Sequence, residues 1–96
     1  MKFLVLWELE LRALQPTILK LIGQMADYSK SLKNQGKLHS QYHVVGRHGG
    51  AWIYEVDSNE ELERLIAGSP VYNYAQYHVL PLAEMEAPKY KVQRKK

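Results

Sequence analysis

An α+β fold is predicted by three features of this 96-residue chain. Two stretches carry apolar residues at helical spacing, and four carry β-forming residues. Turn and capping residues separate them in the order strand, helix, strand, strand, helix, strand. The length fits one domain, near the lower end of the range in which a single core holds a fold unaided.

Phe3 to Leu11 is apolar at nearly every early position, as expected of a strand covered on both faces. Met1 to Trp7 resembles the start of a signal peptide, but Glu8, Glu10 and Arg12 cut the apolar run too short for one. Pro16 suits a first helical turn. From Pro16 to Gln35, Ile18, Ile22, Met25, Ser29 and Leu32 recur at helical spacing, Leu21 and Tyr28 widen the stripe, and Gly36 ends it. Leu38 to Val45 and Ala51 to Val56 read as a hairpin turning at Gly46-Arg47-His48-Gly49-Gly50. Ser58 followed by Glu61 is a capping-box pattern that opens a short helix with Leu62, Leu65 and Ile66 inward. Gly68 ends that helix, Ser69-Pro70 turns the chain, and Tyr74 to Leu82 form the last strand.

Such a unit makes a four-stranded antiparallel sheet with both helices on one face, the ferredoxin-like βαββαβ arrangement. Trp7, Tyr42, Trp52, Tyr54, Tyr74 and Tyr77 are distributed among the strands, more aromatic surface than an open sheet face carries. A second copy is expected to cover that face, giving a dimeric α+β barrel. Residues 1–82 are then the barrel domain. Residues 83–96 are a basic C-terminal tail, since Pro81, Pro88 and the charges argue against another core element.

Composition narrows the function classes. Hydrophobic residues make up 46% of the chain and charged residues 24%, ordinary values for a soluble globular protein and not for a membrane protein. Without cysteine there is no disulfide framework and no thiolate nucleophile, which suits a reducing cytoplasm. The net charge of +3 comes from the tail: Lys89, Lys91, Arg94, Lys95 and Lys96 are five of the 13 basic residues, and the rest of the chain is net acidic. That distribution argues against a nucleic-acid-binding body and leaves salt-sensitive binding through the tail as the last-ranked reading.

Tyr28-Ser29, Gly36-Lys37, Gly46, Val56-Asp57-Ser58, Leu62, Pro70, Tyr74 and Val79-Leu80-Pro81-Leu82, at their spacings, resemble the muconolactone delta-isomerase family over residues 1–82. The resemblance implies the same barrel fold, a homodimer, and rings of such dimers up to a decamer. It also implies a cofactor-independent reaction that moves a proton between carbons of a small unsaturated lactone, with no metal. One side chain must accept and return the proton, and donors must steady the enolate oxygen. In that family the proposed shuttle is a Glu on the first helix, three residues before the matching Tyr-Ser. Here that position is Met25, whose thioether cannot carry a proton. Asp27 is two positions on, about 200° around the helix, and is a poor substitute.

The candidate acid/base residues are therefore His43, His39 and His78, with Tyr42 as a hydrogen-bond donor. Met25, Tyr54, Trp52 and Arg47 are candidate ligand contacts. His39 and His43 share one side of a strand. If Val45 pairs with Ala51, then His43 faces Ile53, Gln41 faces Glu55 and His39 faces Asp57, while Leu38, Tyr42, Val44, Trp52, Tyr54 and Val56 form an apolar layer opposite. His39 and His43 would be about 13 Å apart on a strand, too far to share one metal. Arg47 would take a carboxylate, and Tyr54 and Tyr42 would supply phenolic donors. Each of these residues also has a plain structural role open to it in the core, the interface or a solvated turn. Two function classes follow: an isomerase of a lactone or aromatic-derived ring compound with His43 as proton carrier, or a noncatalytic small-molecule binding or assembly module with the same barrel.

Overall fold

The computed structural model describes residues 1–10 and 15–86. Its elements are β1 (Lys2–Leu9), α1 (Pro16–Asn34), β2 (Leu38–His43), β3 (Gly49–Glu55), α2 (Asn59–Ala67) and β4 (Ala75–Leu82), with a 3-10 turn at Tyr72–Tyr74 before β4. The four strands form one antiparallel sheet in the order β2-β3-β1-β4, the ferredoxin-like order expected. Leu11, where β1 was expected to end, and residues 87–96, which hold the cationic part of the tail, lie outside the described residues.

The helices end where the residue chemistry dictates. Gly36 has a φ of 73°, the left-handed conformation that glycine adopts without a Cβ clash. It closes α1 in a Schellman motif, with Lys37 N–H donating to Leu32 O at 2.8 Å and Gly36 N–H to Lys33 O at 3.0 Å. The Ser58 hydroxyl caps α2 by accepting from Glu61 N–H at 3.0 Å, and the Glu61 carboxylate accepts from Asp57 N–H at 2.8 Å.

Alternation along the strands sorts residues between the two sheet faces. Phe3, Val5 and Leu9 of β1 and Trp52 and Tyr54 of β3 are buried together with Met25 and Leu32 of α1 and Leu62 and Ile66 of α2. Each fully buried large side chain of this cluster contributes roughly 1.5–3 kcal/mol of transfer free energy. The register pairs Phe3 with Tyr54, Val5 with Trp52 and Trp7 with Gly50, so all six share the helix-covered face. Trp7 and Trp52 meet edge to face with ring centroids 5.9 Å apart. Tyr28 ties the two helices, its phenol donating to Leu65 O.

Two expectations are corrected here. The aromatic residues are mostly on the helix side: Trp7, Trp52, Tyr54 and Tyr77 belong to the core side, and the open face has an apolar centre of Leu4, Leu6, Ile53 and Leu80 bordered by Tyr42 and His78 and by the polar Lys2, Glu8, Ser40, Glu55 and Gln76. The hairpin register is also different. Gln41 pairs with Trp52, Tyr42 with Ala51 and His43 with Gly50, not Gln41 with Glu55 and His43 with Ile53. The glycines explain the shift. Gly49 and Gly50 are strand residues, because a Cβ on Gly49 would lie 1.8 Å from the Trp7 carbonyl oxygen and only glycine lets β3 approach β1 there. The turn is accordingly earlier, with Arg47 N–H donating to Val44 O at 3.1 Å and Gly46 at a φ of 82°. An irregularity between Leu38 and Ser40 then lets Leu38, Gln41 and His43 all face the helices, while Tyr42 goes to the open side.

Candidate active-site cleft

The register correction brings His43 and Met25 to one place. Ile22, Met25, Ala26 and Ser29 lie on one side of α1 at the i, i+3, i+4 and i+7 positions of a helix. They face Gln41, His43, Gly50, Trp52 and Trp7 of the sheet across a cleft of about 400 Å³. The lining is mainly apolar, as in small-molecule sites, with a few polar groups at defined points. His43 is exposed and reachable from solvent, whereas Met25 is buried. The Ser29 hydroxyl is occupied, donating to Ala26 O at 3.0 Å.

Behind Met25 is a short polar chain. The Ser69 hydroxyl donates to the Met25 sulfur at 3.4 Å and accepts from the Tyr77 phenol, also at 3.4 Å, and from Val71 N–H. Burial raises the phenols of Tyr54, Tyr28 and Tyr77 above their ordinary value, so all three stay protonated, and Tyr28 and Tyr77 donate to Leu65 O and the Ser69 hydroxyl. At the floor of the cleft the Trp7 indole N–H is buried with no hydrogen-bond partner. Such an orphan costs roughly 1–3 kcal/mol.

The remaining candidates separate from this cleft. Tyr42 borders it but is 63% exposed on the open face. Tyr54 is in the core beneath, its ring tilted against Trp52 with centroids 6.2 Å apart. His78 pairs with Leu6 on the open face. There it lines a second cleft of about 360 Å³ with Leu6, Glu8, Val44, Arg47 and Gln76. Arg47 is already paired with Glu8 at 3.0 Å, which lowers its availability to a substrate carboxylate. His39 is exposed beside the Ser40 hydroxyl at 3.2 Å and lines neither cleft. Among the described residues, no group of His, Asp and Glu is arranged to hold a metal ion, and no helix is long and apolar enough to cross a membrane.

Sequence reasoning did not assign Trp7, Gly50 or Ser69 to the site. The signal for the first two was present: two consecutive glycines beside a β-forming run mark a close backbone approach as well as a turn. Ser69 gave no signal, because its partners are remote in sequence.

Comparisons with known proteins agree with this fold. A family model described as muconolactone delta-isomerase matches residues 1–87. The muconolactone delta-isomerase of Cupriavidus pinatubonensis is 39% identical over 57 residues, 59% of this chain and 62% of that protein. That of Acinetobacter baylyi is 36% identical over 55 residues, 57% of each chain. The chain thus spans about 60% of the length of the curated relatives it matches. A crystal structure of muconolactone isomerase superposes with a TM-score of 0.80 at 18% identity, covering 98% of this chain and 100% of that one. A 5-chloro-2-hydroxyhydroquinone dehydrochlorinase from Burkholderia phenoliruptrix, solved with 2,5-dihydroxybenzoquinone, gives a TM-score of 0.67 at 15% identity, covering 88% of this chain and 96% of that one. At these identities the two structures establish the fold alone.

Proposed function

Since the chain belongs to the muconolactone delta-isomerase family, we propose that it is a cofactor-independent isomerase that shifts a proton between carbons of a small unsaturated lactone or related ring compound. The observation that carries this reading is the shared cleft. His43 opens onto the same space as Met25, the position at which the family resemblance places the proton-shuttling Glu. An imidazole suits a residue that takes a proton from one ring carbon and returns it to another. His43 is the proton carrier in this account. Met25, Ile22 and Trp52 form the apolar wall against the ring, and exclusion of water by that wall strengthens every hydrogen bond to the developing enolate.

The open sheet face supports a homodimer. Leu80 and Leu82 are 46% and 41% exposed on a strand paired to Leu4 and Lys2, and a second copy burying that face would complete the barrel and enclose the cleft lined by His78 and Arg47. We place the protein in the cytoplasm and assign residues 1–82 to the barrel. The test of the activity is turnover of muconolactone in deuterated water. Incorporation of deuterium at the ring carbons, abolished in His43→Ala, supports the reading. A ligand that binds without exchange or turnover would instead favour a noncatalytic binding module, the reading that the thioether of Met25 favours.

A further inference from the structure

Two polar side chains open onto the α1 cleft from one strand. The register pairs Gln41 with Trp52 and His43 with Gly50, partners that belong to the helix side, so both β2 side chains stand on that face. Both line the cleft of Met25. Two positions along an extended strand separate them by roughly 6.6 Å, a spacing that lets both side chains contact one small ring. The other polar groups of the lining are committed or out of reach. The Ser29 hydroxyl donates to Ala26 O at 3.0 Å, and Tyr42 lies on the open face. The Trp7 and Trp52 indole nitrogens pack against Gly50, each 3.0 Å from where a Cβ on it would lie, which leaves no space there for a ligand atom. The Gln41 side chain is partly buried, and among the described residues no group hydrogen-bonds its carboxamide. It is the uncommitted donor of a mostly apolar cleft, where a few placed polar groups fix a ligand's orientation.

We infer that Gln41 is the oxygen-binding residue of this cleft, its amide N–H donating to a ring carbonyl oxygen of the bound compound. The ligand is then a small cyclic compound whose carbonyl is conjugated to the carbon that loses its proton. The catalytic half of the inference rests on the proposed isomerase, with His43 as proton carrier. There the neutral imidazole takes a proton from a ring carbon, the C–H electron pair moves through the conjugated system onto the carbonyl oxygen, and Gln41 holds the resulting enolate. The imidazolium then returns that proton to another ring carbon as the carbonyl re-forms, so nothing is consumed. A carboxamide neither takes nor gives up a proton near neutrality and does not compete with His43 for the one in transit. Its hydrogen bond strengthens as charge reaches the oxygen, which lowers the barrier more than it tightens binding.

The test uses the whole chain and its Gln41→Met variant, in which an unbranched side chain of similar length has no donor. With muconolactone, kcat should fall by roughly 100-fold in the variant while KM changes by less than about tenfold, the pattern of a contact made in the transition state. Independently, the side-chain amide signals of Gln41, assigned through its backbone resonances in a nitrogen–proton NMR spectrum of the wild type, should shift on titration with muconolactone. A second titration uses 2,5-dihydroxybenzoquinone. Wild-type turnover that Gln41→Met retains in full overturns the inference and leaves the isomerase reading standing. A Gln41 shift without turnover supports the oxygen contact and removes the isomerase. A shift with the quinone alone supports the contact and removes the lactone. Binding of either compound with the Gln41 amide unmoved, or binding of neither, overturns the inference. If Gln41→Met fails to fold, the wild-type amide shift decides the matter.

Discussion

Met25 and Ser69 meet although 44 positions separate them, the Ser69 hydroxyl donating to the Met25 sulfur at 3.4 Å. The pair joins α1 to the chain entering β4, and Tyr77 closes it from the other side through the same hydroxyl. A carboxylate at position 25 would find a donor already aimed at it.

That relationship gives the first prediction. Met25→Glu keeps the fold, its carboxyl accepting from Ser69, and in a His43→Ala background it restores proton exchange on the lactone by roughly 100-fold over His43→Ala alone, the usual scale of one general base. Exchange followed by NMR in deuterated water reads this directly. An unchanged rate in the double variant would show that position 25 does not reach the ring.

Gly49 and Gly23 should respond to alanine with opposite signs. At Gly49 the new methyl would be 1.8 Å from the Trp7 carbonyl oxygen, backbone that cannot give way, and urea unfolding should show a loss of about 3 kcal/mol. At Gly23, on the exposed side of α1, nothing lies within 4 Å, and alanine should stabilise the protein by about 1 kcal/mol through helix propensity.

The different outcomes at these glycines show what the sequence could and could not specify. Helix α1 was legible because Pro16, the 3.6-residue stripe and Gly36 act locally. The same holds for α2 with Ser58 and Gly68. The register of the hairpin was not, because Gly49 and Gly50 satisfy a turn equally well when β1 is ignored. Only the approach of Trp7 decides that they are strand, and that contact is long-range. Since His43 changes face with the register, the site depended on the same fact. His43 and Met25 could each be named from the sequence, but their shared cleft could not.

Acid should weaken the fold through Glu61. Its carboxyl is held below the ordinary value of 4.5, first by Asp57 N–H and then by Lys37, whose ammonium lies 2.6 Å away. A lowered pKa stabilises the fold fully above the unfolded value and loses that contribution as pH falls through the folded one. Denaturation midpoints should therefore drop below pH 4.5, and Glu61→Gln should be less stable at neutral pH with a flatter acid limb. Lys37, raised by the same partner, acts at the alkaline end, its contribution complete below 10.5 and lost as pH climbs through the folded value.

Leu80→Lys tests the proposed dimer. Leu80 is 46% exposed and opposite Leu4 on the open face, so a charge there should yield a monomer by light scattering with unchanged secondary structure by circular dichroism. A wild type that is already monomeric would refute the barrel dimer, and an undisturbed dimer in the variant would place the interface elsewhere.

The most direct test of the central claim is deuterium incorporation into muconolactone by the wild-type protein and by His43→Ala at matched pH. Exchange at the ring carbons is expected in the wild type, with a loss of roughly 100-fold or more in the variant. Equal exchange in both proteins would contradict it, because the proton would then be moved by a group other than the imidazole in the Met25 cleft.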